Sequence, residues 1–251
     1  MKNKLDEILL FLKENKNYNK ALQTEYALGT IGSREDSFDK LVALLYDTIN
    51  TQSQPNIDNV SEFFREVYSN KNQLNTFNGF FKFIVGKPID KYSQTDIYNQ
   101  LFESLKAKEG WGPKTSSLFI KNIYNYHHSF DKPELKFWND TPKMEDGDKL
   151  YLPVDTVIME IFNNFLANHK AKWNFKNINK ILHGNFINED VILFDDLWFW
   201  GFITQKGSSK RDFVINMDKY WTIKEADKDV MVLKNIEEQA GKFLTLLNRY
   251  K

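Results

Sequence analysis

Glu109-Gly110-Trp111-Gly112-Pro113-Lys114-Thr115-Ser116 lies between two helical patterns, and the rest of the chain is most easily read outward from it. Two glycines one residue apart let the backbone turn tightly and approach a partner with no Cβ in the way. The following helix is expected to start at Pro113 or Lys114, with its free N–H groups and positive dipole end directed out of the turn. Such an arrangement can seat a phosphate. A glycine-rich connection between helices is also commonly just a turn, so the motif alone leaves both readings open.

On either side the apolar periodicity is helical. Ile97, Leu101 and Leu105 share a face of a helix expected over Thr95 to Lys108, and a second helix is expected from Lys114 to about Tyr126. Farther upstream, Leu5, Ile8, Leu9 and Leu12 form one stripe. Phe38, Leu41, Leu44, Leu45, Thr48 and Ile49 form another, and Val60, Phe63, Phe64 and Val67 a third. N-cap residue types place helix starts near Ser37 and Asp58. Downstream, Ile158, Ile161, Phe162 and Phe165 turn inward from a helix expected over Asp155 to about Asn168. Only Asp218 to Ile223 and Asp229 to Leu233 are candidate strands. The expected fold class is all-α. There is no internal repeat and no Gly/Ser or Pro linker. The stretch from Phe130 to Leu152, rich in Asp, Lys, Pro and Gly, reads as an insertion with some local structure or mobility.

Composition narrows the class. Over 251 residues, 41% hydrophobic and 15% aromatic side chains supply a core that disordered chains lack. With no cysteine there is no disulfide, no thiolate zinc site and no cysteine-held iron–sulfur cluster. The longest apolar runs, such as Ile8 to Leu12 and Leu41 to Leu45, fall well short of the roughly 20 residues needed to span a bilayer. The N-terminal residues do not have the pattern of a signal peptide, so the expected location is the cytoplasm. The net charge is +0, and only Arg34, Arg65, Arg211 and Arg249 are arginines. Lys170, Lys172, Lys176 and Lys180 form one basic cluster, and Lys206, Lys210 and Arg211 a second. Taken alone, each reads as a solvated face. His127, His128, His169 and His183 match no metal-ligand spacing and read as loop or surface histidines.

A second motif is Leu152-Pro153-Val154-Asp155-Thr156-Val157-Ile158, where a proline-bounded extended piece runs into a helix at Asp155. The aspartate is an expected N-cap, accepting from the N–H of Val157 or Ile158. A carboxylate fixed there has its rotamer set and its charged form favoured, which also suits it to stabilise a developing cation.

These two motifs, in this order and on two successive helices, resemble the helix-hairpin-helix Gly/Pro-Asp superfamily of base-excision DNA glycosylases. The likeness is greatest to the small all-helical 8-oxoguanine DNA glycosylase/lyases. It implies two helical subdomains with the active-site cleft and the hairpin motif between them. One would cover about 38–126 and end in the hairpin motif at 95–126; the other would combine 1–37 with 127–251. In that family a lysine matching Lys114 marks the bifunctional glycosylase/lyases, and nearly all catalytic members share an aspartate matching Asp155. The hairpin would hold DNA through Gly110, Trp111, Gly112 and Thr115. Leu41 to Gln54 is similar to the family's helix that ends in a DNA-inserted loop, where Asn50 or Gln52 would fill the gap left by the displaced base. Leu197 to Phe202 is similar to the helix facing the base pocket, with Asp195, Trp198 and Phe199 as pocket residues. Asp195 and Asp196 point about 100° apart on a helix, so at most one of them would face that pocket. The chain departs from the family in the longer interval between Lys114 and Asp155, whose surplus lies in 130–152, and in Glu109, where a proline or apolar residue is more usual.

The chemistry implied is excision of a flipped base. Lys114, as a neutral amine, would attack the sugar C1′ to give an imine that permits β-elimination, while Asp155 would stabilise the oxocarbenium-like sugar. The expected partner is double-stranded DNA containing a damaged base, acted on by a monomer. No cofactor is expected, neither an iron–sulfur cluster nor a catalytic metal. Three alternatives stay open: a glycosylase for another modified base, a non-catalytic helix-hairpin-helix DNA-binding protein, and a helical protein–protein adaptor.

Overall fold

A computed structural model describes residues 2–166, 172–207 and 211–249. Along the chain run α1 (Lys2–Ala27), α2 (Ser37–Asn50), α3 (Ile57–Ser69), α4 (Phe77–Val85), α5 (Ile97–Lys106) and α6 (Pro113–Tyr124). They are followed by α7 (Thr156–Phe165), α8 (Phe175–His183), α9 (Asn188–Leu193), α10 (Asp196–Ile203), α11 (Asp218–Trp221) and α12 (Val230–Asn248). Two short strands, β1 (Gln205–Lys206) and β2 (Asp212–Phe213), pair antiparallel. The protein is all-α in class. The chain divides into two compact units, one of residues 26–153 and one combining 1–25 with 154–251. Among the described residues no helix is long and apolar enough to cross a membrane.

In the 26–153 unit the apolar stripes are buried where the periodicity places them, with Phe38, Leu41, Leu44 and Leu45 on α2 and Phe63, Phe64 and Val67 on α3. Helices α2 to α5 start where a side chain can take an orphan N–H. Asp36 accepts from Asp39 N, Asn56 from Asn59 N and Thr76 from Gly79 N. The next two starts draw on the chain far downstream. Asp140 accepts from Phe77 N at 2.7 Å and Asn78 N at 3.0 Å at the head of α4. Asp148 accepts from Tyr98 N at 2.8 Å and Asn99 N at 3.0 Å at the head of α5.

Between these two aspartates the Pro142 carbonyl accepts from the Tyr98 hydroxyl, and just before them the Trp138 indole, buried against Phe77 and Phe80, donates to the Leu74 carbonyl. The 130–152 stretch is therefore a strap across α4 and α5. Residues 127–153, expected with the second half of the chain, fall in this unit because their acids cap its helices and their aromatics complete its core.

His127 belongs to the same core. It is not a surface histidine: its ring lies parallel to Trp138 at 6.1 Å and edge-on to Phe137 at 4.8 Å. Burial, reinforced by His128 and Lys136, pushes its imidazole down to about 4.

In the 1–25 and 154–251 unit, the Leu5, Ile8, Leu9 and Leu12 stripe of α1 is buried. Trp200, fully buried, meets Phe11 at 5.1 Å and Tyr18 at 5.8 Å. α7 and α10 pack at a glycine: a Cβ on Gly201 would lie 2.6 Å from Val157 and 2.7 Å from Ile161. The two expected strands are absent. Asp218 to Trp221 is α11, and Asp229 accepts from Met231 N and Val232 N as the N-cap of α12, so a cap overrides the β-type composition of Val230 to Leu233. His169, Lys170 and Lys210 lie outside the described residues.

The buried imidazole sets a pH dependence. His127 is depressed from an ordinary 6.5, so its contribution to stability is fully present above that value and is lost as pH falls through it towards about 4. At about 1.4 kcal/mol per pH unit this reaches up to about 3 kcal/mol. In urea denaturation, His127→Phe should gain stability relative to wild type as pH drops through this window. A difference independent of pH would mean that the folded imidazole protonates normally.

Candidate functional site

After α5 the hairpin closes through Lys108 N to the Leu105 carbonyl at 3.0 Å and Trp111 N to the Lys108 carbonyl at 3.1 Å. Gly110 takes φ +80°, the left-handed region that favours glycine. Gly112 is extended, with φ −124° and ψ 173°, and precedes α6 with no side-chain cap on its first turn. A Cβ on Gly112 would meet nothing within 4 Å, whereas one on Gly110 would lie 3.4 Å from Val60. Two residues expected to contact DNA turn the other way. Trp111 is buried, its ring edge-on to Phe63 at 5.3 Å and Phe119 at 5.5 Å, and Thr115 is buried on the inner face of α6. They anchor the hairpin to the core.

Lys114, half-buried on the first turn of α6, donates from Nζ to the Thr51 carbonyl at 3.3 Å. The Gln52 amide donates to the Gly110 carbonyl at 3.0 Å. The loop after α2 and the hairpin are thus tied at two points, one of them through Thr51, whose part is a backbone carbonyl that residue type cannot reveal. Gln52 is engaged within the protein, while Asn50 is exposed at the end of α2.

Within the other unit, Asp155 is the N-cap of α7, and its Oδ1 accepts from Ile158 N at 2.9 Å. The same helix start holds Arg211, which donates from Nη2 to Thr156 Oγ1 at 3.1 Å and from Nη1 to Gln205 Oε1 at 3.3 Å. Gln205 is completely buried and donates to the Val157 carbonyl at 3.0 Å.

Asp195 and Asp196 are both buried against α1. Gln23 Nε2 donates to Asp195 at 3.0 Å, and Asn19 Nδ2 donates to Asp196 at 2.6 Å. Gln23 was not singled out in the sequence, although Asn15, Asn19 and Gln23 form a polar i, i+4 row on α1 that would have marked it. Trp198 is half-buried and stacks on Phe202 at 5.1 Å. Phe199, expected at a base pocket, is 1% exposed and packs edge-on to Trp200 and Tyr220. It is a core residue.

No family model, no curated protein and no solved structure matches this chain. The functional reading therefore stands on the geometry and the motifs.

Among the described residues there is no group of three or more histidines and acids that could hold a metal ion. Two surface grooves of about 290 and 650 Å³ share Tyr46 and Tyr68, and none of the expected site residues lines them.

The two hairpin glycines should respond differently to alanine. Gly110→Ala forces a side chain into the left-handed region and should cost about 1–2 kcal/mol in thermal or urea unfolding. Gly112→Ala, with an ordinary φ and open space at its Cβ, should leave stability within about 0.5 kcal/mol. Equal destabilisation by both would contradict this geometry.

Proposed function

We propose that the protein is a base-excision DNA glycosylase with β-elimination lyase activity, using Lys114 as nucleophile on an oxidised base, with 8-oxoguanine the first candidate. The observation that carries this reading is the position of Lys114. It lies on the first turn of a helix opened by a glycine hairpin, and its amine is held by a carbonyl, with no carboxylate within 4 Å among the described residues. The carbonyl fixes the direction of the amine.

The chemistry follows from these groups. Backbone N–H groups of the hairpin and of the start of α6 bind phosphate oxygens and hold the strand. The Lys114 amine attacks C1′ of the flipped nucleotide, the C1′–N bond breaks, and the base leaves with a proton. Opening of the sugar gives an imine between Nζ and C1′. Loss of a proton from C2′ then expels the 3′ phosphate, and water releases the lysine. The family resemblance assigns to Asp155 the negative charge that favours a cationic sugar, and in its own unit its rotamer is fixed by the bond from Ile158 N.

The test is borohydride trapping on duplexes carrying a panel of lesions. Wild type should form a covalent adduct with 8-oxoguanine DNA, and Lys114→Gln should abolish both adduct and strand scission while binding survives. Asp155→Asn preserves a good N-cap, so stability should change by about 1 kcal/mol or less while base release falls by orders of magnitude. Trapping by Lys114→Gln would move the nucleophile elsewhere. Tight DNA binding with no action on any lesion would favour a non-catalytic helix-hairpin-helix protein.

A further inference from the structure

The start of α7 carries a second concentration of positive charge that neither the hairpin nor Asp155 uses. Arg211 and Lys219 are both held by one buried residue. Arg211 donates to the side-chain oxygen of Gln205 at 3.3 Å, and Lys219 donates to its backbone carbonyl at 2.5 Å. Gln205 is 0% exposed and is itself fixed by its bond to the Val157 carbonyl. Arg211 is further tied to Thr156, the first residue of α7. The Lys219 ammonium also lies 5.1 Å from the centre of the Phe202 ring.

Every one of these partners is neutral. Asp212 and Asp218 adjoin the two cations in sequence, yet no carboxylate among the described residues lies within 4 Å of either cation. Burial and, after it, the charge of Arg211 lower the Lys219 ammonium from its ordinary value. The two groups are thus close enough to oppose each other, and both are half-buried.

Bringing two cations together without a counter-charge costs Coulomb energy, and an anion placed between them reverses the sign of that cost. The hydrogen-bond inventory agrees. Arg211 has five N–H donors and spends two; Lys219 has three and spends one. The N-terminus of α7 adds no free positive field, because the Asp155 carboxylate caps it. A guanidinium fork with an ammonium beside it suits a tetrahedral oxyanion with several acceptor oxygens.

We infer that Arg211 and Lys219, oriented by Gln205, form a phosphate-binding seat at the start of α7. The phosphate comes from the DNA backbone if the glycosylase reading holds, and this assignment of its source rests on that reading; a free phosphate-bearing ligand is the other source.

Thermal unfolding of wild type, Arg211→Gln, Arg211→Lys and Lys219→Gln in inorganic phosphate, against chloride at matched ionic strength, tests the seat. A second arm measures duplex binding across a salt series for the same proteins. Phosphate should raise the Tm of wild type. The rise should be lost or at least halved in Arg211→Gln and Lys219→Gln and partly kept in Arg211→Lys. Because the readout is the phosphate-dependent shift within each protein, a lower starting stability in a variant does not obscure it.

If the source is DNA, Arg211→Gln should also reduce the slope of log affinity against log salt by about one. A phosphate shift that depends on Arg211, with an unchanged DNA slope, assigns the seat to a free phosphate-bearing ligand. A shift that is absent from wild type, or equal in wild type and Arg211→Gln, overturns the seat and leaves the glycosylase reading intact. Failure of wild type to bind duplex, with the phosphate shift present, overturns the glycosylase reading and leaves the seat intact.

Discussion

The 26–153 unit depends on two carboxylates that cap helices they do not belong to. An α-helix exposes N–H groups on its first turn, and burying them without acceptors is costly. α4 is capped partly by Thr76 beside it, but Phe77 N and Asn78 N are taken by Asp140, 63 and 62 residues downstream. α5 has no local side-chain cap and relies on Asp148. Asp148 is 2% exposed, and burial raises its carboxyl even though three backbone N–H groups favour the charged form. The unit retains this charged group at a cost because α5 leads directly into the hairpin. Fixing the start of α5 fixes the direction in which Lys108, Gly110 and Gly112 are delivered.

Within the hairpin, one side chain separates structure from surface. Trp111 sits between two glycines and turns inward onto Phe63 and Phe119. Thr115 reinforces this from the inner face of α6. Beside it the hairpin exposes Glu109 and leaves Lys108, Gly110, Gly112 and Lys114 half-exposed.

The helices were legible because each carries an apolar stripe of the correct period, as in Leu41, Leu44 and Leu45 of α2. The Asp155 cap was legible because a capping carboxylate and the N–H that donates to it lie two or three residues apart in any sequence. The inward turn of Trp111 was not, because a glycine-rich motif does not state which of its sides faces the core. The partners of Asp140 and Asp148 were invisible for a different reason: both lie in a polar stretch whose composition resembles a loop, and their value comes from contacts some fifty to sixty residues away. Asp195 and Asp196 could be separated by helical geometry, but the amides of Asn19 and Gln23 that hold them come from α1, at the opposite end of the chain. The run Val230 to Leu233 misled because its β-branched composition says nothing of the aspartate before it.

The bond from the Gln52 amide to the Gly110 carbonyl has a consequence for energetics. Together with the bond from Lys114 to Thr51, it makes the loop after α2 and the hairpin a single ordered body before any ligand arrives. Ordering two loops on association would consume conformational entropy for every residue immobilised. Here that loss is already incurred during folding, so any ligand that docked on the hairpin would meet a surface whose second loop is already in register. The same link works in reverse. Anything that withdraws Gln52 from Gly110 loosens both loops together, so docking on the hairpin and release of the loop after α2 are coupled through that one carbonyl.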